Sequence, residues 1–227
     1  MKKITLSPGA MLSPVPAVMV SCGRGDEKNI ITIAWTGIIN SRPPMTYISV
    51  RKSRHSHGII SGEKEFVINL TTEDLAFAAD WCGVKSGADH DKFSEMKLTP
   101  VDCDKVSCPM IGESPVNLEC KVKEIHSYPS HDMFVAEIVG IHVSPEIMDE
   151  DGRVSYEKAG LLAYVHGMYY GIKKNPVGRF GFSVMKRKTK KRLSREARTG
   201  RRAGGRKDTG RGRIAGKRGA SAARRSR

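Results

Sequence analysis

Short apolar runs separated by turn-forming residues dominate the first part of the chain. The runs at residues 15–22, 30–35, 46–50 and 66–70 are rich in Val and Ile, and each is short for a helix. A cluster of Gly, Asp and Asn at residues 23–29 separates the first two runs. This spacing predicts that these two runs pair as a β-hairpin.

The later part of the chain continues the strand pattern. Apolar residues alternate with polar ones at positions 116, 118, 120 and 122, which predicts a half-buried strand. A turn at residues 128–132 leads into a second strand over residues 133–143, and a segment rich in Gly and Tyr follows at residues 161–172. The chain therefore contains at least six strand candidates.

Helical periodicity is confined to a few segments. Residues 71–74 (Thr-Thr-Glu-Asp) are typical of a helix start, and Gly83 is typical of a helix end. Between them the apolar residues fall on one helical face, at Leu75, Ala78, Ala79 and Cys82. The polar loop at residues 86–93 predicts a further short helix that ends near Leu98.

The order of these elements indicates the fold class. The strands mostly follow one another through short turns, and helices are few. This order predicts a mainly β fold, an antiparallel barrel of Greek-key type with peripheral helices, rather than a doubly wound α/β sheet. With 227 residues, the chain is long enough for one domain with a substantial core.

The charge distribution divides the chain into two parts. The sequence contains 39 Lys and Arg against 24 Asp and Glu, a formal net charge of +15, and residues 186–227 hold 19 of the basic residues and two of the acidic ones. Residues 1–185 are therefore near neutral and are predicted to form the folded domain. The tail, residues 186–227, has too few apolar residues to fold alone.

Two interpretations of the tail stay open. Its charge would attach it electrostatically to RNA, DNA or anionic lipid. It lacks aromatic residues for base stacking, which leaves phosphate contacts. The alternative is an extension without a fixed partner.

The five cysteines are odd in number and unevenly spaced, which favours a reduced, cytoplasmic protein. Cys103 and Cys108 lack further ligands at zinc-site spacing, so no metal ligand is predicted. No apolar run approaches the length of about 20 residues that crosses a bilayer.

A basic segment follows the third apolar run. Residues 51–57 read Arg-Lys-Ser-Arg-His-Ser-His and stand where a strand gives way to a short predicted helix. Backbone N–H groups at a helix start, together with Arg, Lys and Ser side chains, suit a phosphate. A solvated basic turn is the alternative.

The sequence lacks the common motifs of enzymes that catalyse reactions with their own side chains. It contains no GxSxG, HExxH, Walker loop or GxGxxG after a strand, so no catalytic residue is predicted. An enzyme without its own acid–base groups usually relies on a cofactor. A phosphate-bearing cofactor would also explain the basic segment.

Several motifs, in order, resemble the flavin reductase-like, FMN-binding split-barrel family, and its flavoredoxin branch in particular. They are Ala34-Trp35-Thr36-Gly37, Pro43-Pro44, Ile48-Ser49-Val50-Arg51 with Arg54 and Ser56, Phe66-Val67-Ile68-Asn69-Leu70, Ser86-Gly87 followed by Asp91-Lys92-Phe93, and Gly178-Arg179-Phe180-Gly181. The resemblance covers about residues 5–185. It implies a homodimer of split β-barrels with one FMN per subunit near the interface.

The resemblance also implies a set of FMN-binding residues, namely Asn29, Trp35, Ser56, Lys92, His131 and Tyr164. Relatives often have Thr in place of Ser56, Phe in place of Tyr164 and Arg in place of Ala88. The first change keeps the hydroxyl, whereas the last removes one polar contact from the loop.

Physical roles can be assigned to these and neighbouring residues. The end of the third run, Ser49-Val50, leads into the phosphate site, where Arg51, Lys52 and Arg54 neutralise charge and Ser53 and Ser56 add hydrogen bonds. The backbone at Thr36 and Gly37 approaches the flavin ring, and Trp35 covers part of it. Lys92 places positive charge near N1 and O2 of the flavin.

The functional hypothesis is an FMN-dependent oxidoreductase. NADH or NADPH reduces the bound flavin, which passes electrons to free flavin or to a redox protein. Two alternatives remain: a nucleic-acid-associated protein that binds through its tail, with the body as scaffold, and an FMN-binding protein without reductase activity.

Overall fold

The computed structural model describes residues 1–173, 175–189 and 191–192. The chain divides into two units, residues 1–175 and residues 176–227. The described part of the second unit contains a short 3₁₀ turn, Phe182–Val184, and α-helical residues at 187–189 and 191–192. Most of the predicted basic tail, residues 186–227, lies outside the described residues.

Twelve strands and three α-helices are present in residues 1–173. The strands are β1 Val15–Pro16, β2 Val18–Cys22, β3 Asn29–Ile33, β4 Thr36–Ser41, β5 Pro44–Arg51, β6 Glu65–Leu70, β7 Pro100–Val101, β8 Met110–Ile111, β9 Val116–Ser127, β10 His131–Val143, β11 Leu162–Val165 and β12 Met168–Gly171. The helices are α1 His55–Glu63, α2 Ala76–Val84 and α3 Lys92–Glu95.

The main sheet of the first unit is antiparallel throughout, in the order β3-β2-β6-β9-β10-β5-β4. It curls until β3 contacts β5, although the two strands do not pair as a ladder. A smaller sheet, β1-β11-β12, lies apart from this barrel sheet. The prediction of a mainly β, antiparallel barrel with peripheral helices is confirmed.

Apolar side chains from every wall fill the barrel. Val20, Ile33, Ile48, Phe66 and Phe134 belong to one buried cluster. In β5 the buried positions alternate with more exposed ones, because successive side chains of a strand point to opposite faces of the sheet. This core fixes the curvature that brings β3 and β5 together.

A second apolar layer covers the outer face of β2 and β3. Met19 and Ile30 pack there against Ala79, Cys82 and Phe93 from α2 and α3. The predicted apolar face of α2 is confirmed, since all four of its residues are buried. This layer holds the end of α2 close to β3.

The predicted start of this helix is wrong by several residues. Residues 71–74 form a turn, and α2 begins at Ala76. The backbone N–H of Glu73 donates to the carbonyl of Gly160, and the carbonyl of Thr71 accepts from Leu162 N–H. These bonds tie the segment to the chain near β11, and the carbonyls of Thr72 and Glu73 accept the N–H groups of Leu75 and Ala76 in the turn that precedes the helix.

A strand also forms where the sequence predicted a connection. Residues 36–41 form β4, which pairs with β5 and lies at the edge of the barrel sheet. Ile38 and Ile39 of β4 are exposed. Because β4 does not turn its isoleucines toward the core, its sequence lacks the alternation that predicts a half-buried strand.

Glu119 is a buried carboxylate that holds a loop against the barrel. Its oxygens accept the backbone N–H groups of Asp104, Lys105 and Val106, at 3.3, 2.6 and 3.0 Å. Nε2 of His142 lies 2.6 Å from the same carboxylate. Burial alone would raise the pKa of Glu119, but the bonds from His142 and the backbone lower it below its usual value.

We expect Glu119→Gln to lower the free energy of unfolding by about 2 kcal/mol at neutral pH, because an amide cannot accept all of these bonds. The folded-state pKa of Glu119 is depressed, so its contribution is present above the unfolded pKa and is lost as pH falls through the folded pKa. Urea unfolding of both proteins should therefore show their difference shrinking at acid pH.

The control for this experiment is Glu95→Gln, which removes an exposed carboxylate 2.9 Å from His90. Exposed ion pairs contribute little to stability, so this variant should unfold like the wild type. A loss for Glu119→Gln that is the same at every pH would contradict the role of its charge.

Candidate functional site

A cleft opens between β3 and β5, where the barrel is split. Its volume is about 360 Å³, and its walls include Ile31 and Ile33 of β3 and Ser49, Val50 and Arg51 of β5. Further walls carry four aromatic rings, from Trp35, His131, Tyr164 and Tyr169. We call this space the aromatic cleft.

Trp35 and His131 form one wall of the aromatic cleft. Their ring centroids are 4.6 Å apart, with an angle of 40° between the ring planes. The carbonyl of Trp35 accepts the N–H of Ser49 at 2.9 Å, which fixes the chain as it leaves β3. Burial and the positive charge of Arg51 lower the pKa of His131. This wall therefore carries a neutral imidazole at neutral pH.

A further part of the lining comes from the β11–β12 hairpin and α2. Tyr164 and Tyr169 pack edge to face, with centroids 5.5 Å apart. The hydroxyl of Tyr169 donates to Oδ1 of Asp80 at 3.3 Å, and burial and Asp80 raise the pKa of this tyrosine to about 12. The lining of the cleft thus contains two pairs of neighbouring rings, which suits a flat aromatic ligand.

A second cleft of about 400 Å³ adjoins the first and shares Ile31, Arg51 and Arg54 with it. Its lining is largely polar, and we call it the polar cleft; it includes Asn29, Ser53, Ser56, Ser86, Gly87 and Lys92. The basic segment predicted at residues 51–57 supplies one side, where β5 ends and α1 begins. A helix start carries partial positive charge, and the first turn of α1 contains no acidic residue.

Asn29 is buried at the back of the polar cleft. Its Nδ2 donates to Oγ of Ser56 at 2.8 Å, which joins β3 to α1. Gly87 approaches this amide so closely that an added Cβ would lie 2.1 Å from Oδ1 of Asn29. A glycine is therefore required for the loop after α2 to approach Asn29 this closely.

Lys92 is buried beside the polar cleft with 3% of its surface exposed. Its Nζ donates to the carbonyls of Ile30 and Cys82, both at 2.7 Å, which leaves one N–H for another acceptor. Burial lowers the pKa of Lys92 to about 8; the Cys82 thiol opposes this shift and Arg54 adds to it. An anion in the polar cleft would supply the missing counter-charge.

The structure brings together most of the residues predicted from the sequence, and all of them lie in its described part. Seven line the aromatic cleft: Trp35, Ser49, Val50, Arg51, Arg54, His131 and Tyr164. Four more line the polar cleft: Asn29, Ser53, Ser56 and Lys92. Lys92 therefore lies with the serines of the basic segment and not beside Trp35.

Three predicted residues line neither cleft. The hydroxyl of Thr36 donates to the carbonyl of Tyr47 at 2.6 Å, and Gly37 faces the ring of Tyr47. The ammonium group of Lys52 donates to Ser127 at 2.7 Å and lies 3.4 Å from Asp132. The part of this chain segment that lines the aromatic cleft is instead residues 31–35.

Sequence reasoning missed Asp80, Tyr169 and Gly87 as site residues. Asp80 was an ordinary polar position on α2, and Tyr169 was one of several tyrosines in a glycine-rich segment. Gly87 belonged to a quoted motif, but its contact with Asn29 joins residues 58 positions apart and has no local signal.

A split antiparallel barrel with two adjoining clefts at its opening defines the class of split-barrel proteins. Residues 11–173 match the family model of the flavin reductase like domain. The chain therefore belongs to the flavin reductase-like family, and the predicted family is confirmed.

Relatives and solved structures agree with this assignment. A flavoredoxin of Desulfovibrio vulgaris is 27% identical, with a TM-score of 0.75 over 80% of this chain and 100% of that protein. A flavoredoxin from Methanosarcina acetivorans has the same fold, with a TM-score of 0.73 at 24% identity over 82% of this chain and 100% of its own. An uncharacterized protein of Pyrococcus abyssi is 29% identical over 68% of this chain and 88% of its own.

Among the described residues, no helix has the length and apolar character needed to cross a membrane. All five cysteines are free, and burial raises the pKa of Cys82, which lines the polar cleft, to about 11. This thiol is therefore protonated at neutral pH.

Proposed function

We propose that the chain binds FMN and acts as an oxidoreductase that accepts electrons from NADH or NADPH. The observation that carries this proposal is the pair of adjoining clefts, one walled by aromatic rings and the other by cations and hydroxyls. FMN has the matching two parts, a flat three-ring system and a phosphate. Membership of the flavin reductase-like family supports a flavin as the ligand.

The residues present fit this cofactor. Trp35, His131 and Tyr164 would hold the ring system, and residues 32–34 also line this cleft. Ser53, Ser56 and Arg54 would bind the phosphate through hydrogen bonds and charge. The proposal assigns these roles to the domain predicted at residues 1–185.

The bound FMN would supply the hydride- and electron-accepting chemistry, for which the side chains themselves offer no substitute. The protein's part is to orient the ring and to set its surroundings. The aromatic cleft is open at the barrel split, so a nicotinamide or an electron acceptor could approach the ring there. The acceptor we propose is free flavin or a redox protein, and the assembly we propose is a homodimer.

The test is the absorbance spectrum of the purified protein after reconstitution with FMN. We expect one FMN per chain, and anaerobic addition of NADH or NADPH should bleach its visible absorbance. Failure to bind FMN would overturn the proposal. Binding without bleaching by either nicotinamide would remove the reductase activity and leave an electron carrier that another protein reduces.

The alternative function, nucleic-acid association through the basic tail, rests on residues 186–227, most of which lie outside the described residues. Nothing in the clefts favours it. Retention on immobilised RNA that falls steeply with salt and disappears on truncation after Met185 would support it, and salt-insensitive retention would contradict it.

A further inference from the structure

One carboxylate contacts both ends of the basic segment. Asp132 lies at the start of β10 and is 9% exposed. Its Oδ2 lies 2.8 Å from Nε2 of His57, and its Oδ1 lies 3.4 Å from Nζ of Lys52. Lys52 directly follows β5, whereas His57 belongs to the first turn of α1. We call these three residues the Asp132 clasp.

The residues between the two contacts all line the polar cleft. They are Ser53, Arg54, His55 and Ser56. This short segment contains the hydroxyls and one of the cations that would meet a phosphate. Its position therefore depends on where its two ends are held.

The Asp132 clasp is itself supported on both sides. Lys52 also donates to Oγ of Ser127 at 2.7 Å, and the ring of His57 packs edge to face on Phe134, with centroids 5.4 Å apart. Burial alone would raise the pKa of Asp132, but the hydrogen bond from His57 and the positive charge of Lys52 lower it. The carboxylate is thus charged at neutral pH and has ordered partners.

Asp132 does not line either cleft, in contrast to its neighbour His131. In the ladder between β10 and β5, His131 lies opposite Arg51, and Asp132 lies opposite Val50. Successive side chains of a strand point to opposite faces, which explains the difference. Asp132 can therefore affect a ligand through the segment that it holds, or through its charge.

We propose that Asp132 is a positioning residue for the phosphate of FMN, because it holds both ends of the segment that lines the polar cleft. This inference rests on the proposed function. Charge alone predicts the opposite effect, since a carboxylate near an anion site weakens anion binding. Removing the charge should therefore tighten binding if the clasp has no positioning role and weaken it if the clasp positions the segment.

The experiment measures the dissociation constants of FMN and riboflavin for the wild type and for Asp132→Asn. We expect FMN binding to weaken by about tenfold, because the segment loses an ion pair at Lys52 and a hydrogen bond to a charged group at His57. Riboflavin lacks the phosphate, so its binding should be unchanged. His57→Leu releases one end of the segment while it fills the space against Phe134. It should likewise weaken FMN binding and leave riboflavin binding unchanged.

Glu124→Gln is the matched control. Glu124 lies 2.8 Å from Nε2 of His126 on β9, but this His–carboxylate pair is exposed and holds no part of either cleft. Its removal should leave both dissociation constants unchanged. Amide hydrogen exchange of residues 52–57 gives a second measurement, and we expect it to be faster in Asp132→Asn than in Glu124→Gln.

The outcomes separate this inference from the proposed function. Tighter or unchanged FMN binding in Asp132→Asn would overturn the inference, as would an equal loss for FMN and riboflavin. A wild type that binds neither flavin would overturn the proposed function instead. In that event the exchange measurement tests whether the Asp132 clasp holds the segment. Unchanged exchange at residues 52–57 in Asp132→Asn would show that it does not.

Discussion

Lys92→Met is expected to weaken FMN binding by roughly tenfold to a hundredfold. The ammonium group lies beside the polar cleft with two of its three N–H groups on the carbonyls of Ile30 and Cys82. A phosphate would accept from the third and would supply a counter-charge in a place from which water is largely excluded. Methionine keeps the volume of the side chain but provides neither an N–H donor nor a positive charge.

The same residue should make FMN binding depend on pH. Burial lowers the pKa of Lys92 to about 8 in the unliganded protein. A bound anion favours the charged form, so FMN binding takes up a proton once the pH exceeds this value. The affinity should therefore fall as pH rises from about 8, and Lys92→Met should lose this dependence. Titrations of both proteins at several pH values measure it.

Lys85→Met is the control for this pair of measurements. Lys85 lines the same polar cleft but is exposed. An exposed charge is screened by solvent and salt, so its loss should change FMN affinity far less. Equal losses for Lys85→Met and Lys92→Met would mean that general positive charge, and not the buried ammonium group, governs binding.

Gly87→Ala is expected to weaken FMN binding by about a hundredfold, because it displaces a group at the back of the site. The added Cβ would lie 2.1 Å from Oδ1 and 2.4 Å from Cγ of Asn29. Asn29 is buried and bonded to Ser56, so it cannot move aside without breaking that bond. The disturbance would pass directly to α1 and the basic segment. Fluorescence quenching of FMN measures the change.

The matched control is Gly62→Ala in α1, where an added Cβ meets no atom within 4 Å. Alanine is also the better helix former, so this variant should bind FMN normally and be slightly more stable. If Gly87→Ala bound FMN as tightly as Gly62→Ala, the close contact with Asn29 would have no part in the site. The thermal midpoint of each variant separates loss of binding from loss of fold.

The basic segment shows what a local pattern can and cannot decide. The sequence shows directly that the segment contains cations and hydroxyls, and its neighbours place it between a strand and a helix. These features predicted an anion site. Lys52 nevertheless turns to Asp132 and Ser127, 80 and 75 residues further along the chain. The sequence shows how many basic residues the segment contains. The direction of each side chain depends on which acidic residues the fold brings near it.

The sequence by itself determined most strand positions along the chain, the apolar face of α2 and the family, because alternation, turn residues and short motifs are local properties. The split between β3 and β5, the burial of Lys92 and the contact of Gly87 with Asn29 were decided by the tertiary structure. Each of these depends on how far the sheet curls and on which distant elements then touch. Such contacts arise from packing of the whole barrel, and no short stretch of the chain encodes them.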